Sequence, residues 1–192
     1  RTTRKPCSSH STPPRMAALY ITNVIYSLWE RRGMESWIPG LVILLVLSAG
    51  CVAEERLPRP DGKDLWNHIT VVEPYKGFSY IPGHQGMYRS RGDHGAYIKT
   101  FVNGPALKSF EEKKGTMRPG SVIVTENYNF ERQLEAITVM YKTEGYSPDY
   151  RDWFWAMYNP GGTVEEEGNV MFCIRCHAQR DYNDYVFSAD VR

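Results

Sequence analysis

The chain has 192 residues, of which 42% are apolar and 23% charged, and its formal net charge is +1. That length suits one ordinary domain. From Cys51 onward, 17 Lys and Arg stand against 20 Asp and Glu, and no basic cluster marks one face, which excludes nucleic acid as an expected partner.

The first predicted element is the apolar run GLVILLVLSAG at 40–50. A membrane span needs about 20 apolar residues, and this run is shorter. Its length and small-residue exit suit a signal-peptide core. Cys51 follows Ser48, Ala49 and Gly50, which resembles a bacterial lipoprotein processing site, although a bulky aliphatic residue is more usual where Ser48 stands. A start at Met34 would place residues 1–33 outside the natural protein but leaves only Glu35 and Ser36 ahead of Trp37, without a positive flank, whereas a start at Met16 would recruit Arg31 and Arg32. The expectation is export to the bacterial periplasm or a periplasm-facing membrane surface, with Cys51 as the candidate lipidation site and membrane attachment. The chain then divides into an upstream and signal-like segment (1–50), a charged, proline-containing tether (51–62) and a single domain (63–192).

A short helix is expected after the tether, with Leu65, Trp66 and Ile69 on one side. Five glycines between 77 and 95 read as a long loop. Residues 97–102 read as a strand. Asn103 stands where a helix cap could, ahead of ALKSFEEKK, and Gly115 ends that helix. SVIVTENY (121–128), LEAITVMYK (134–142) and WFWAMY (153–158) read as three further strands separated by turns. Glu165, Glu166 and Glu167 read as a solvated loop. Leu134, Ile137, Val139, Phe154 and Phe187 are expected in the core. The fold class is therefore α+β, a mainly antiparallel sheet with a few packed helices and a C-terminal attachment segment.

CIRCH, Cys173 to His177, is the strongest chemical signal. Two thiols three apart can add to the two vinyl groups of a haem, and the next residue is an imidazole that reaches the iron. The cofactor expected is one covalently attached haem c per chain, with His177 as metal ligand. A redox dithiol would want the strand-then-helix frame of a βαβ unit, which is not apparent here, and the pair lies close to the chain end. A zinc site would want a second pair of soft ligands, and Cys7 and Cys51 are expected to be removed or modified. Both stay open as alternatives. Fifteen residues follow His177, none of them Met or His, so a sixth ligand has to come from His68, His84, His94, Met87, Met117, Met140, Met157 or Met171. Each of these has a plainer reading as a core, surface or loop residue, and the layout leans toward an iron with one open face.

HGAYIKTFVNGPAL (94–107), PGSVIVTENY (119–128), ITVMYK (137–142), WFWAMY (153–158) and CIRCHAQRDYNDYVF (173–187), in this order, resemble the cytochrome P-460 family and the related beta-type cytochromes c-prime. The resemblance implies a periplasmic, largely antiparallel protein with a C-terminal haem c. The family includes hydroxylamine-oxidising enzymes and proteins that bind nitric oxide without turnover. Its enzymes carry a lysine bonded to the macrocycle, and the matching residue here is Thr125, which has no amine. Lys99 and Lys142 lie on neighbouring strands. The family's enzymes also place a carboxylate beside the iron, which matches Gln179 here, with Asp181 as the other candidate. Tyr182 and Tyr185 are candidates to close over the haem, weighed against ordinary packing.

The sequence therefore suggests an exported mono-haem cytochrome that binds a small molecule, nitric oxide above all, at an apolar open iron face. The alternatives are a periplasmic electron-transfer cytochrome, its redox partner steered by Glu165–Glu167, and, third, a hydroxylamine-oxidising enzyme. Whether the chain is an enzyme stays undecided, and a homodimer is a further option.

Overall fold

The computed structural model describes residues 57–192. Cys7, the 40–50 run, Cys51 and the first half of the tether (51–56) lie outside the described residues. Among the described residues, no helix is long and apolar enough to cross a membrane.

Asp61 starts the first helix, α1 (Gly62–Asn67), because its carboxylate accepts from the Lys63 and Asp64 amides at 3.1 and 3.0 Å. A wider π-helical turn continues it over His68–Val72. Leu65 and Ile69 are fully buried, as the periodicity predicts. The glycine-rich stretch read as loop carries two strands of two residues each, β1 (Ser79–Tyr80) and β2 (Tyr88–Arg89). Both pair with β3 (Tyr97–Val102). Asn103 then caps α2 (Gly104–Glu112), accepting from the Ala106 amide at 3.2 Å. The same side chain accepts from the Val122 amide and donates to the Gly120 carbonyl, which ties the helix start to the next strand.

That strand, β4 (Val122–Tyr128), is followed by β5 (Leu134–Lys142), β6 (Trp153–Tyr158) and β7 (Val164–Gly168). All neighbours are antiparallel, in the order β1-β3-β4-β5-β6-β7, with β2 also on β3. The fold is α+β, as expected. One expectation changes. Glu165–Glu167 are exposed, but they belong to the edge strand β7, and Glu167 accepts from the Gly62 amide at 2.5 Å. A charged edge strand of this kind discourages pairing with another sheet.

Because side chains alternate along a strand, the sheet sorts its residues onto two faces. Val102, Ile123, Met140, Trp153 and Trp155 pack on the first face with Phe110 of α2 and the C-terminal segment. Phe101, Val122, Val124, Ile137, Val139, Tyr141 and Phe154 pack on the second, against Leu65, Ile69 and Tyr75. The register places Thr100, Thr125 and Thr138 side by side across β3, β4 and β5. This row belongs to the first face.

Candidate functional site

The C-terminal helix α3 (Met171–His177) is anchored by Ile174, buried in the first-face core, with Cys173 packed against the same cluster. On a helix, residues three and four apart share a face, so Cys173, Cys176 and His177 are brought together by the spacing alone. Both thiols are partly buried.

A tight 3₁₀ segment, Ala178–Asn183, follows the helix. Asp184 and Tyr185 then both adopt left-handed backbone, with φ of 51° and 69°. This reversal carries the Tyr185 carbonyl back to His177, whose Nδ1–H donates to it at 2.7 Å. Two uncommon backbone conformations in succession need support from their surroundings. The Asp184 carboxylate accepts from Lys142 Nζ at 2.8 Å through both oxygens and from the Met117 amide at 2.6 Å. The Trp153 indole donates to the Asp184 carbonyl at 3.0 Å. Asn183 bonds to the carbonyls of Val186 and Ala189 and to the Val191 amide, which locks the end of the chain.

The His177 ring meets Trp155 and Phe187 edge to face, with ring centres 4.8 and 5.2 Å away. Burial pulls its imidazole down to about 4, the nearby His94 adds to this, and the Tyr185 carbonyl opposes it. The ring is therefore neutral at pH 7, and its engaged Nδ1 leaves the lone pair on Nε2.

A second imidazole stands against it. His94 lies 6.0 Å from His177 between ring centres, the planes at 88°. Its Nδ1 is 3.0 Å from Asn127 Oδ1 and 3.3 Å from Thr138 Oγ1. Burial lowers its pKa as well. Gly95, at φ +74°, presses the loop onto β4 so closely that a Cβ there would sit 2.6 Å from the Tyr128 carbonyl oxygen. The Ala96 amide donates to that same oxygen at 2.8 Å. Beside this pair of rings, Thr100 Oγ1 is 3.4 Å from Thr125 Oγ1 and 2.8 Å from the Tyr88 hydroxyl.

The other residues singled out in the sequence fall elsewhere. Lys99 alternates with Thr100, so it faces the second side of the sheet, with its Nζ 5.3 Å from the centre of the Tyr128 ring. Lys142 is on the first face, but its amine is buried against Asp184 and donates to the Arg151 carbonyl. Gln179 is exposed. Asp181 is exposed too, and its carboxylate takes two 2.8 Å bonds from the Arg151 guanidinium. Tyr182 is 47% exposed and pairs with Arg180. Tyr185 is buried. Among the other histidines, His68 pairs with Glu73 and His84 stacks on Tyr88.

A family model described as Cytochrome P460 matches residues 76–188, more than half of the chain. The chain belongs to the cytochrome P460 family. No curated protein matches it significantly. Membership implies a haem cofactor, and the donor set can be tested against that group. The two thiols and the imidazole share one helix end, and the imidazole is held in the tautomer that a metal requires, with a carbonyl behind it. Both features suit a haem. The competing readings fare worse. Burial pushes the Cys173 thiol up to about 11, with a further push from Cys176, whereas a redox thiol needs a lowered value. Among the described residues, no group of three or more His, Cys, Asp and Glu side chains could hold a metal ion by itself. His94 and the threonine row were not legible as a group, since they come from one loop and three strands. A His-Gly pair immediately before a strand was the only local signal.

Proposed function

We propose that this protein is an exported mono-haem c-type cytochrome that passes single electrons to a partner in the bacterial periplasm. One observation carries the haem assignment: the His177 Nδ1–H is taken by the Tyr185 carbonyl at 2.7 Å, so Nε2 is free to bind iron. Cys173 and Cys176 would supply the two thioether bonds, giving one haem per chain. The bound haem contributes a one-electron iron couple. The chain's own side chains do the rest. Trp155 and Phe187 hold the imidazole plane, and the Tyr185 carbonyl keeps its proton on Nδ1.

The site's chemistry supports electron transfer over hydroxylamine oxidation. Thr125 has no amine to bond a macrocycle, Lys99 faces the other side of the sheet, and Asp181 is committed to Arg151. The exposed Glu165–Glu167 on β7 give a cationic redox partner something to recognise. Export and lipid attachment at Cys51 rest on the 40–50 run and its small-residue exit. Binding of a small neutral ligand such as nitric oxide is the second reading, favoured by the uncharged walls that Thr100, Thr125 and Thr138 form. The occupant of the iron's sixth position separates the two.

The test is a peptide map of the purified holoprotein with a pyridine haemochrome spectrum. Haem carried solely by the peptide containing Cys173 and Cys176, with every lysine peptide at its unmodified mass, supports the assignment. A protein expressed with haem-attachment machinery that carries no haem on that peptide would overturn it.

A further inference from the structure

We infer that His94 is the second axial ligand of the iron, so that the resting cytochrome is six-coordinate with two histidines. The inference rests on the haem reading above and deepens it.

Two imidazoles bound to opposite sides of one metal, each through a ring nitrogen at about 2 Å, have ring centres about 6–6.5 Å apart. His94 and His177 are 6.0 Å apart. That span holds one metal and its two bonds. With the His177 bond at about 2 Å and the two rings on a shared axis, it leaves no room for an additional small molecule between the metal and His94. The 88° between the planes is no obstacle, because each ring can rotate independently about a shared axis.

Tautomer state points the same way. His177 gives its Nδ1 proton to the Tyr185 carbonyl, and His94 has its Nδ1 beside the Asn127 side-chain oxygen. An amide oxygen only accepts, so the His94 proton sits on Nδ1 and the lone pair on Nε2. Each ring thus shows the arrangement of a metal-bound histidine, one nitrogen held by an outer acceptor and the other open. Thr138 Oγ1 closes on the same nitrogen of His94 at 3.3 Å.

The segment bearing His94 is also fixed. Gly95 is held in left-handed backbone against β4, and the Ala96 amide bonds to the Tyr128 carbonyl. A surface loop that merely passed the site would not need this contact. The consequence is functional. A small molecule reaches the iron only after His94 leaves, so the electron-transfer reading is favoured and nitric oxide or carbon monoxide binding becomes conditional on that departure.

The experiment compares the holoprotein with its His94→Ala and His94→Met variants by optical, EPR and near-infrared magnetic circular dichroism spectroscopy. The wild type should be low-spin in both oxidation states with a bis-histidine charge-transfer band. His94→Ala should give a high-spin ferrous form, and added imidazole should return it to low spin. His94→Met should move the charge-transfer band to the position of histidine–methionine ligation. Carbon monoxide should bind the reduced wild type at a rate that saturates with concentration. If the open form is below about a tenth of the population, His94→Ala should raise carbon monoxide affinity at least about tenfold. A wild-type haem peptide with a high-spin ferrous spectrum overturns the ligand assignment and leaves the haem reading intact. A chain without haem on Cys173 and Cys176 overturns both. The wild-type spectrum decides the matter even if a variant fails to fold.

Discussion

Asp184→Asn is the substitution that most directly probes how the fold holds the His177 imidazole. Asparagine tolerates the left-handed backbone at φ 51° and still offers an oxygen to the Met117 amide, so the change removes mainly the charge. It leaves the Lys142 ammonium, 9% exposed, without its carboxylate. Breaking one side of a buried pair costs about 3–5 kcal/mol. An independent ceiling comes from proton release. Lysine starts at 10.5, and neutralising it at pH 7 costs 1.36 kcal/mol per unit, about 5 kcal/mol in all. Burial already lowers the Lys142 pKa, and Asp184 opposes that lowering, so the variant lowers it further. The unfolded state then binds the proton more tightly than the folded one, and stability rises with pH. The loss should therefore be about 3–5 kcal/mol at pH 7 and no more than about 2 kcal/mol near pH 9. Urea unfolding of the holoprotein at both values is the assay. A loss below about 1 kcal/mol at pH 7, or one that does not shrink toward pH 9, would refute the reasoning.

Three other outcomes follow from the same structure. Gly95→Ala should cost about 1–3 kcal/mol, because φ is +74° and the new Cβ meets the Tyr128 carbonyl; the urea midpoint should fall and the low-spin haem signal weaken together. Burial pushes the Glu126 carboxyl up, but hydrogen bonds from Lys76, Tyr128 and Tyr75 more than reverse this, and its pKa lies below 4.5. Its contribution to stability should be complete above about pH 4.5 and disappear as pH falls through the folded value, so thermal unfolding between about pH 3 and 6 should show a steeper acid limb than in Glu126→Gln. Lys99→Met should leave the haem-peptide mass and spectrum unchanged, because the side chain faces away from the threonine row; a changed haem peptide would contradict that orientation.

Much of the sheet was readable because apolar alternation is a local property. ITVMYK and VIVTENY each alternate between two cores, and both became strands in the expected place. Strand β7 carries three consecutive glutamates and no alternation, so nothing in its composition marks pairing with β6. The π-helical turn after α1 and the two-residue strands depend on tertiary contacts, which a window of sequence does not contain. The site divides along the same line. Cys173, Cys176 and His177 share a helix face by spacing, and were found by spacing. The His177–Tyr185 bond needs two successive left-handed residues, Asp184 and Tyr185, neither of which is glycine, and the buried Lys142 that supports them comes from a distant strand. Long-range polar partners of this kind leave no periodic trace.

Strand parity also explains why lysine position matters more than lysine proximity. On β3, Lys99 and Thr100 are neighbours in sequence, yet they face opposite sides of the sheet. On β5, Lys142 shares the first face with Thr138 and Met140, but it lies further along the strand and is buried against Asp184. Thr125, between Thr100 and Thr138 in the register, is the one of these positions next to the hydroxyl cluster, and it carries no amine. Apart from the 2.8 Å bond between Thr100 and the Tyr88 hydroxyl, the row Thr100–Thr125–Thr138 makes bonds of 3.3–3.5 Å with its own members, with His94 and with the Thr125 carbonyl, at the long end of useful geometry. Valine would fill the same space beside the apolar residues of this face without the desolvation of three hydroxyls. The row therefore makes little sense as a stabilising device. It makes sense as a neutral, hydrogen-bonding wall behind His94, which holds an imidazole in place without adding a charge to the site.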